Sequence, residues 1–372
     1  MTRRQPRARS RGPYARACGL IATVCALAAC KVGGRLDHDL TGIHEERERD
    51  SSGRDDGWDD EPDDAPSRDA GPSTADGSRG GPSDASADDD AGGMRAPPSM
   101  PPPSTAPRDC YAEAFDRDAP VGDLVSAYEP ERWDALLLGV LERRWPAGRA
   151  LLRDMWGDPD IARWADASSP EALARSSMDV VHDATHGWGY GHASEGRFAF
   201  FVREDLTPDA PWIHVFARSE IAEMLPDDAT DGYAVRYLTG EQGAAGFTEV
   251  VDELHAYTGG LAAVTAAGDL AAGERVRARD GVQASLLFLE LYLRRAREVY
   301  PELYARMRGE TEYVEIVRVI WQRAHFFLEA SARYDELGES DDAIAAHVAR
   351  PGNVAEVSMF VGRTVAISSC LP

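Results

Sequence analysis

Lysine is almost missing from this chain: Lys31 is the only one, and every other fixed positive side chain is an arginine. That bias reflects genome composition rather than function. Acidic residues outnumber Lys and Arg by 64 to 40, for a formal net charge of −24. An exported protein this acidic, with no basic patch, is expected to be a poor nucleic-acid binder. Cysteine is sparse, five in 372 residues with no CxxC pair, so any disulfide is expected to be structural and not redox-active. The apolar run from Cys18 to Ala29 is too short to cross a bilayer. No internal repeat is visible.

Six arginines crowd the first sixteen residues, and the apolar run follows them. A charged start and a short apolar stretch make a secretory signal. It ends Leu27-Ala28-Ala29-Cys30, which resembles a bacterial lipobox. The resemblance implies cleavage before Cys30, diacylation of that cysteine and attachment to the membrane through the lipid. Lys31, where an Asp often marks inner-membrane retention, leans the expectation to the outer membrane.

Residues 31 to 108 are dominated by Asp, Ser, Gly, Pro and Ala and hold too little apolar surface to offset the entropy of ordering. They read as a disordered acidic tether, with His38 and His44 as solvated linker positions. The expected division is a signal over 1–29, a tether over 30–108 and a globular domain over 109–372. Cys110 and Cys370 stand at the two ends of that domain. In an oxidising compartment such an isolated pair is expected to form a disulfide, with two buried thiols as the alternative.

Within the domain, apolar residues recur at helical spacing from Glu129 to Trp156, with Pro146 opening or kinking a second helix. A short helix near Ile161 to Ala165 follows. Ser168-Ser169-Pro170-Glu171 is a helix start signal, and the helix it opens is expected to stop at Gly187-Trp188-Gly189. Arg197–Arg203 and Trp212–Ala217 read as two short strands, a hairpin beside the site, with His214 a satisfied strand residue. Phe247 to Leu261, Gln283 to Val299, Glu312 to Leu328 and Asp341 to Val348 read as helices, punctuated by Pro301 and Pro351-Gly352. The expected class is mainly α (α+β): a helical domain with one small hairpin.

The expected helix ends in His182-Asp183-Ala184-Thr185-His186, and His192 follows ten residues after His182. Histidines four apart on a helix point the same way and can hold one metal ion. This half-site resembles the HExxH motif of the zincin metallopeptidases, with Asp183 where the family has its Glu base. The resemblance implies a zinc ion, a third protein ligand, and hydrolysis of a peptide or protein substrate. Two third ligands stay open. His192 fits the metzincin spacing, with Met224-Leu225-Pro226 a faint echo of that family's methionine turn. Glu253, in Val251-Asp252-Glu253-Leu254-His255-Ala256-Tyr257, fits the gluzincin arrangement and is favoured, because an acidic pair on a half-buried helix calls for a partner.

Asp252 is a candidate for orienting a ligand histidine, and Tyr257 or Tyr190 for donating to an oxyanion. His255, Arg323 and His325 are further polar candidates, and His347 has no context that singles it out. Asp is one methylene shorter than Glu, so two functions follow: a zinc peptidase working through Asp183, or an envelope lipoprotein that keeps the scaffold as a non-catalytic binding or structural module.

Overall fold

The computed structural model describes residues 111–229, 232–271 and 273–367. The signal, Cys30, the tether, Cys110 and Cys370 lie outside the described residues.

The chain enters through Gly122–Ser126 (α1), Trp133–Arg144 (α2), Pro146–Asp154 (α3) and Pro159–Ala162 (α4), then the long helix Pro170–Gly191 (α5). Prolines open α3, α4 and α5 at their first positions, where a missing N–H costs nothing and φ is already helical. The Ser169 side chain accepts from the Ala172 N–H and caps α5. After the hairpin come Gly232–Leu238 (α6), Gly240–Gly243 (α7), Phe247–Ala266 (α8), Ala278–Val299 (α9), Pro301–Gly309 (α10), Thr311–Ser331 (α11), Asp341–Val348 (α12) and Pro351–Val361 (α13). The domain is mainly α, as composition and periodicity imply. Among the described residues, no helix is long and apolar enough to cross a membrane.

The core is organised around α8, which packs on α5, α9 and α11. The sequence suggests one apolar face for this helix. The structure instead buries nearly its whole circumference. Much of that buried surface is Ala, Gly and Thr, which carry little hydrophobic signal but let neighbouring backbones approach. A Cβ on Gly260 would lie 2.8 Å from the Met178 carbonyl oxygen and 3.5 Å from the His182 Cβ, and one on Gly259 would lie 2.8 Å from Thr185 Oγ1. The bare Gly259-Gly260 surface is what sets α5 close against α8.

Three expected boundaries move. α5 runs through Gly187 and Gly189 instead of stopping there, because these glycines serve packing: a Cβ on Gly189 would meet the Phe198 ring at 2.6 Å, and one on Gly187 would meet Met155 Cε at 2.8 Å. The hairpin pairs Arg197–Ala199 (β1) with Asp209–Pro211 (β2), antiparallel, with Arg197 opposite Pro211. Trp212–Ala217 is not a strand, since the Ile213 N–H donates to Thr248 Oγ1 and its carbonyl accepts from the Thr248 N–H. The first turn of α8 claims the backbone groups a strand would need. Pro351-Gly352, read as punctuation, instead begins α13.

Candidate metal centre

The α5–α8 crossing brings three predicted residues together. His182 Nε2 and His186 Nε2 are 3.1 Å apart, and Glu253 Oε2 lies 3.9 Å from the first and 3.6 Å from the second. These three form the one metal-competent group found among the described residues. The histidines are one turn apart on α5, and Glu253 reaches them from α8. Their side chains keep 12%, 20% and 17% of their surface in solvent, so the group lies just under the surface, in partial contact with water.

The donor set fits zinc. Bonds of about 2.0–2.1 Å in a tetrahedron put ligand atoms roughly 3.3–3.5 Å from one another, and the three separations scatter about that value. Glu253 Oε2 is buried and has no hydrogen-bond partner, so its lone pairs converge with two imidazole nitrogens on one point. Asp252 Oδ2 sits 2.7 Å from His186 Nδ1, which fixes the ring and leaves Nε2 directed at His182 and Glu253. His182 Nδ1, in contrast, is buried without a partner. Its ring is held by packing: the Tyr257 ring stands edge-on with centroids 4.5 Å apart.

Electrostatics favours a cation at this point. Burial disfavours charge on His186, yet the Asp252 and Glu253 carboxylates raise its pKa well above the ordinary histidine value. Glu253 is pushed up by burial, but His186 and the fully buried Arg218 outweigh it and lower the carboxyl to about 2. His182, desolvated and next to His186, falls to about 3. Two carboxylates thus flank the His186 ring, Asp252 at Nδ1 and Glu253 at the Nε2 end, where a divalent ion would sit.

The remaining candidates go elsewhere. Asp183 Oδ2 accepts the Trp164 indole N–H at 2.7 Å and lies 4.0 Å from Arg163, so this carboxylate is turned toward α4. His192 is not brought to the group: it stacks on Trp188 at 3.9 Å, and its Nδ1 lies 2.9 Å from the Trp188 carbonyl oxygen. Met224 ends a short 3₁₀ turn, Arg218–Met224, rather than underlying the histidines. Tyr190 packs edge-on against Phe198. The Tyr257 hydroxyl is 2.6 Å from that of Tyr237.

The other polar candidates are spent in the core. His255 is buried against Phe200, and His325 against Trp321. Arg323 pairs with Glu113 at 3.5 Å between the Trp145 and Phe327 rings. His347 Nε2 lies 2.8 Å from Asp228 Oδ1. His214 is exposed and close against Gly246.

Sequence reasoning missed Trp164, Arg218, Arg236 and Tyr237, none of which sits in a motif. The Gly259-Gly260 pair was a readable signal for close helix approach. Comparison of the chain with protein-family models, with curated proteins and with solved structures gives no match.

Proposed function

We propose that the domain is a zinc-dependent hydrolase acting on peptide bonds, carried by an exported lipoprotein anchored through Cys30, with the outer membrane favoured. One observation carries this reading: two histidine nitrogens and a buried carboxylate oxygen converge at 3.1, 3.6 and 3.9 Å, a three-ligand set that leaves a coordination position open. Bound there, zinc supplies Lewis acidity, polarising a carbonyl and making water nucleophilic near neutral pH. His182, His186 and Glu253 hold the ion, Asp252 fixes the His186 ring, and Arg218 keeps Glu253 ionised. Asp183 occupies the base position of the motif, and its Oδ1, the oxygen not engaged by Trp164, would have to turn from α4 toward the group to accept a proton from water.

Metal analysis of the full chain tests the first half. One zinc per chain is expected, lost in His182→Ala and His186→Ala. A chain that binds no zinc, or keeps it in both variants, overturns the reading. A second reading, a zinc-binding module that does not cut, is favoured by the Asp183–Trp164 hydrogen bond, which holds the base-position carboxylate toward α4. Asp183→Glu separates the two. The longer side chain is expected to raise peptide hydrolysis by about 10²-fold, the low end of what general-base catalysis supplies. No gain, with zinc retained, supports the second reading. Transfer of Cys30→Ala from the membrane to the soluble fraction tests the anchor.

A further inference from the structure

Resting on the metal reading above, the next question is what the triad recognises. Helix α6 brings two consecutive residues, Arg236 and Tyr237, to the face of the group already held by Tyr257. The Tyr237 and Tyr257 hydroxyls are 2.6 Å apart, and the Tyr257 ring is the surface on which His182 rests. The Arg236 guanidinium lies beside both hydroxyls, with its central carbon 6.0 Å from the middle of the Tyr237 ring. Asp179, one turn before His182 on α5, lies within electrostatic range of the guanidinium. A half-buried cation is therefore joined to the metal group through the Tyr237–Tyr257 hydroxyl pair and the Tyr257 ring under His182.

Among the described residues, that cation has no ion-paired carboxylate. Arg143, Arg144, Arg197, Arg279, Arg295 and Arg297 each hold a carboxylate at 2.5–3.3 Å. Among the described residues, none lies within ion-pair distance of Arg236. Its close neighbours are tyrosine hydroxyls, which are neutral at pH 7 and offer only hydrogen bonds. Asp179 is within electrostatic range but does not reach it. A guanidinium presents parallel N–H donors that match a carboxylate edge to edge, and such pairing adds geometric selection to charge.

We propose that Arg236 is the substrate-recognition residue of this site, and that the substrates it selects are peptides presenting a free C-terminal carboxylate. The carboxylate would pair with the guanidinium while the preceding peptide group faces His182, His186 and Glu253. That register makes the cleaved bond one at the end of a chain, and internal segments of folded proteins would be poor substrates.

The test uses the full chain loaded with one equivalent of zinc and two probes, acetyl-trialanine with a free carboxylate and the same peptide as its C-terminal amide. Isothermal titration calorimetry is expected to show the acid binding at least ~10-fold more tightly than the amide, the scale of one charge-assisted bidentate pair. Arg236→Gln should abolish that preference while the zinc content stays at one per chain, and Arg236→Lys should keep part of it. Equal affinities, no binding of either probe, or a preference that survives Arg236→Gln would overturn the proposal. Failure of the metal reading looks different: it appears as a wild-type chain that takes up no zinc at all.

Discussion

Asp183 follows His182 and Asp252 precedes Glu253, and the two carboxylates have opposite fates. Asp252 is 4% exposed and bonded to the back of His186; Asp183 is held by an indole. Asp252→Asn keeps the shape but loses the charge that fixes the ring, so zinc affinity is expected to fall about 10–100-fold in a chelator competition. An unchanged affinity would mean that Asp252 does not support the ligand. The histidine pair was legible because i,i+4 spacing is a local fact of the helix, and Glu253 was legible because an acid on a buried helix needs a reason. Arg218 was not, since it reaches the site's field only through tertiary packing, its Nε and Nη2 bound to Tyr237 and Gln242.

A separate residue sets a pH dependence. Glu290 on α9 is fully buried, neither oxygen has a partner, and burial outweighs Arg294 to raise its pKa to about 10. A carboxyl whose folded pKa lies above the unfolded one adds stability below the unfolded value of 4.5, and loses it as pH rises toward the folded value. Unfolding midpoints in urea should therefore fall between about pH 5 and pH 9. In Glu290→Gln that decline should be visibly shallower, and an identical slope would remove Glu290 as its source.

At the scale of elements, the α5–α8 crossing is both a packing contact and the frame of the metal group. The Gly260 position faces the Met178 carbonyl, which is backbone and cannot swing aside. Gly260→Ala should cost about 1–3 kcal/mol by overpacking and should weaken zinc binding together with stability, because moving α8 moves Glu253. Gly191→Ala meets nothing within 4 Å and serves as the control, with thermal unfolding and zinc content close to wild type. Helix starts were readable at Pro146 and at Ser169-Pro170, where a proline or a serine cap marks the first turn. One error came from glycine. At 187 and 189 it looks like a helix stop, yet Phe198 and Met155 fill the space that a side chain would take. Composition alone does not separate a glycine that breaks a helix from one that admits a neighbour.

At the scale of the molecule, the first described residues are tied into the core. Tyr111 and Phe115 set their rings edge-on against Phe326 and Phe327 of α11, and the Tyr111 hydroxyl donates to Glu113. Glu113, 1% exposed, faces Arg323, 2% exposed, and also accepts from the Trp145 indole. The Asp116 N–H bonds the Arg144 carbonyl, and Arg117 Nη1 the Ala330 carbonyl. Glu113→Ala leaves a buried guanidinium without its partner, which should cost roughly 3–5 kcal/mol in chemical denaturation. A loss below ~1 kcal/mol would show that the pair is solvated or dispensable.

Those contacts also decide how the domain responds to tension. A pull applied at residue 111 meets the Glu113–Arg323 pair, two aromatic contacts and the Arg117 clamp before any of it reaches α5 or α8. The N-terminal segment thus passes load first to α11, which lies against α8, and to Arg144, which bonds the Ala266 carbonyl at the end of α8. In a single-molecule pulling experiment, the wild-type chain should yield in one event, and Glu113→Ala should release the segment first, at lower force, with the helices still folded.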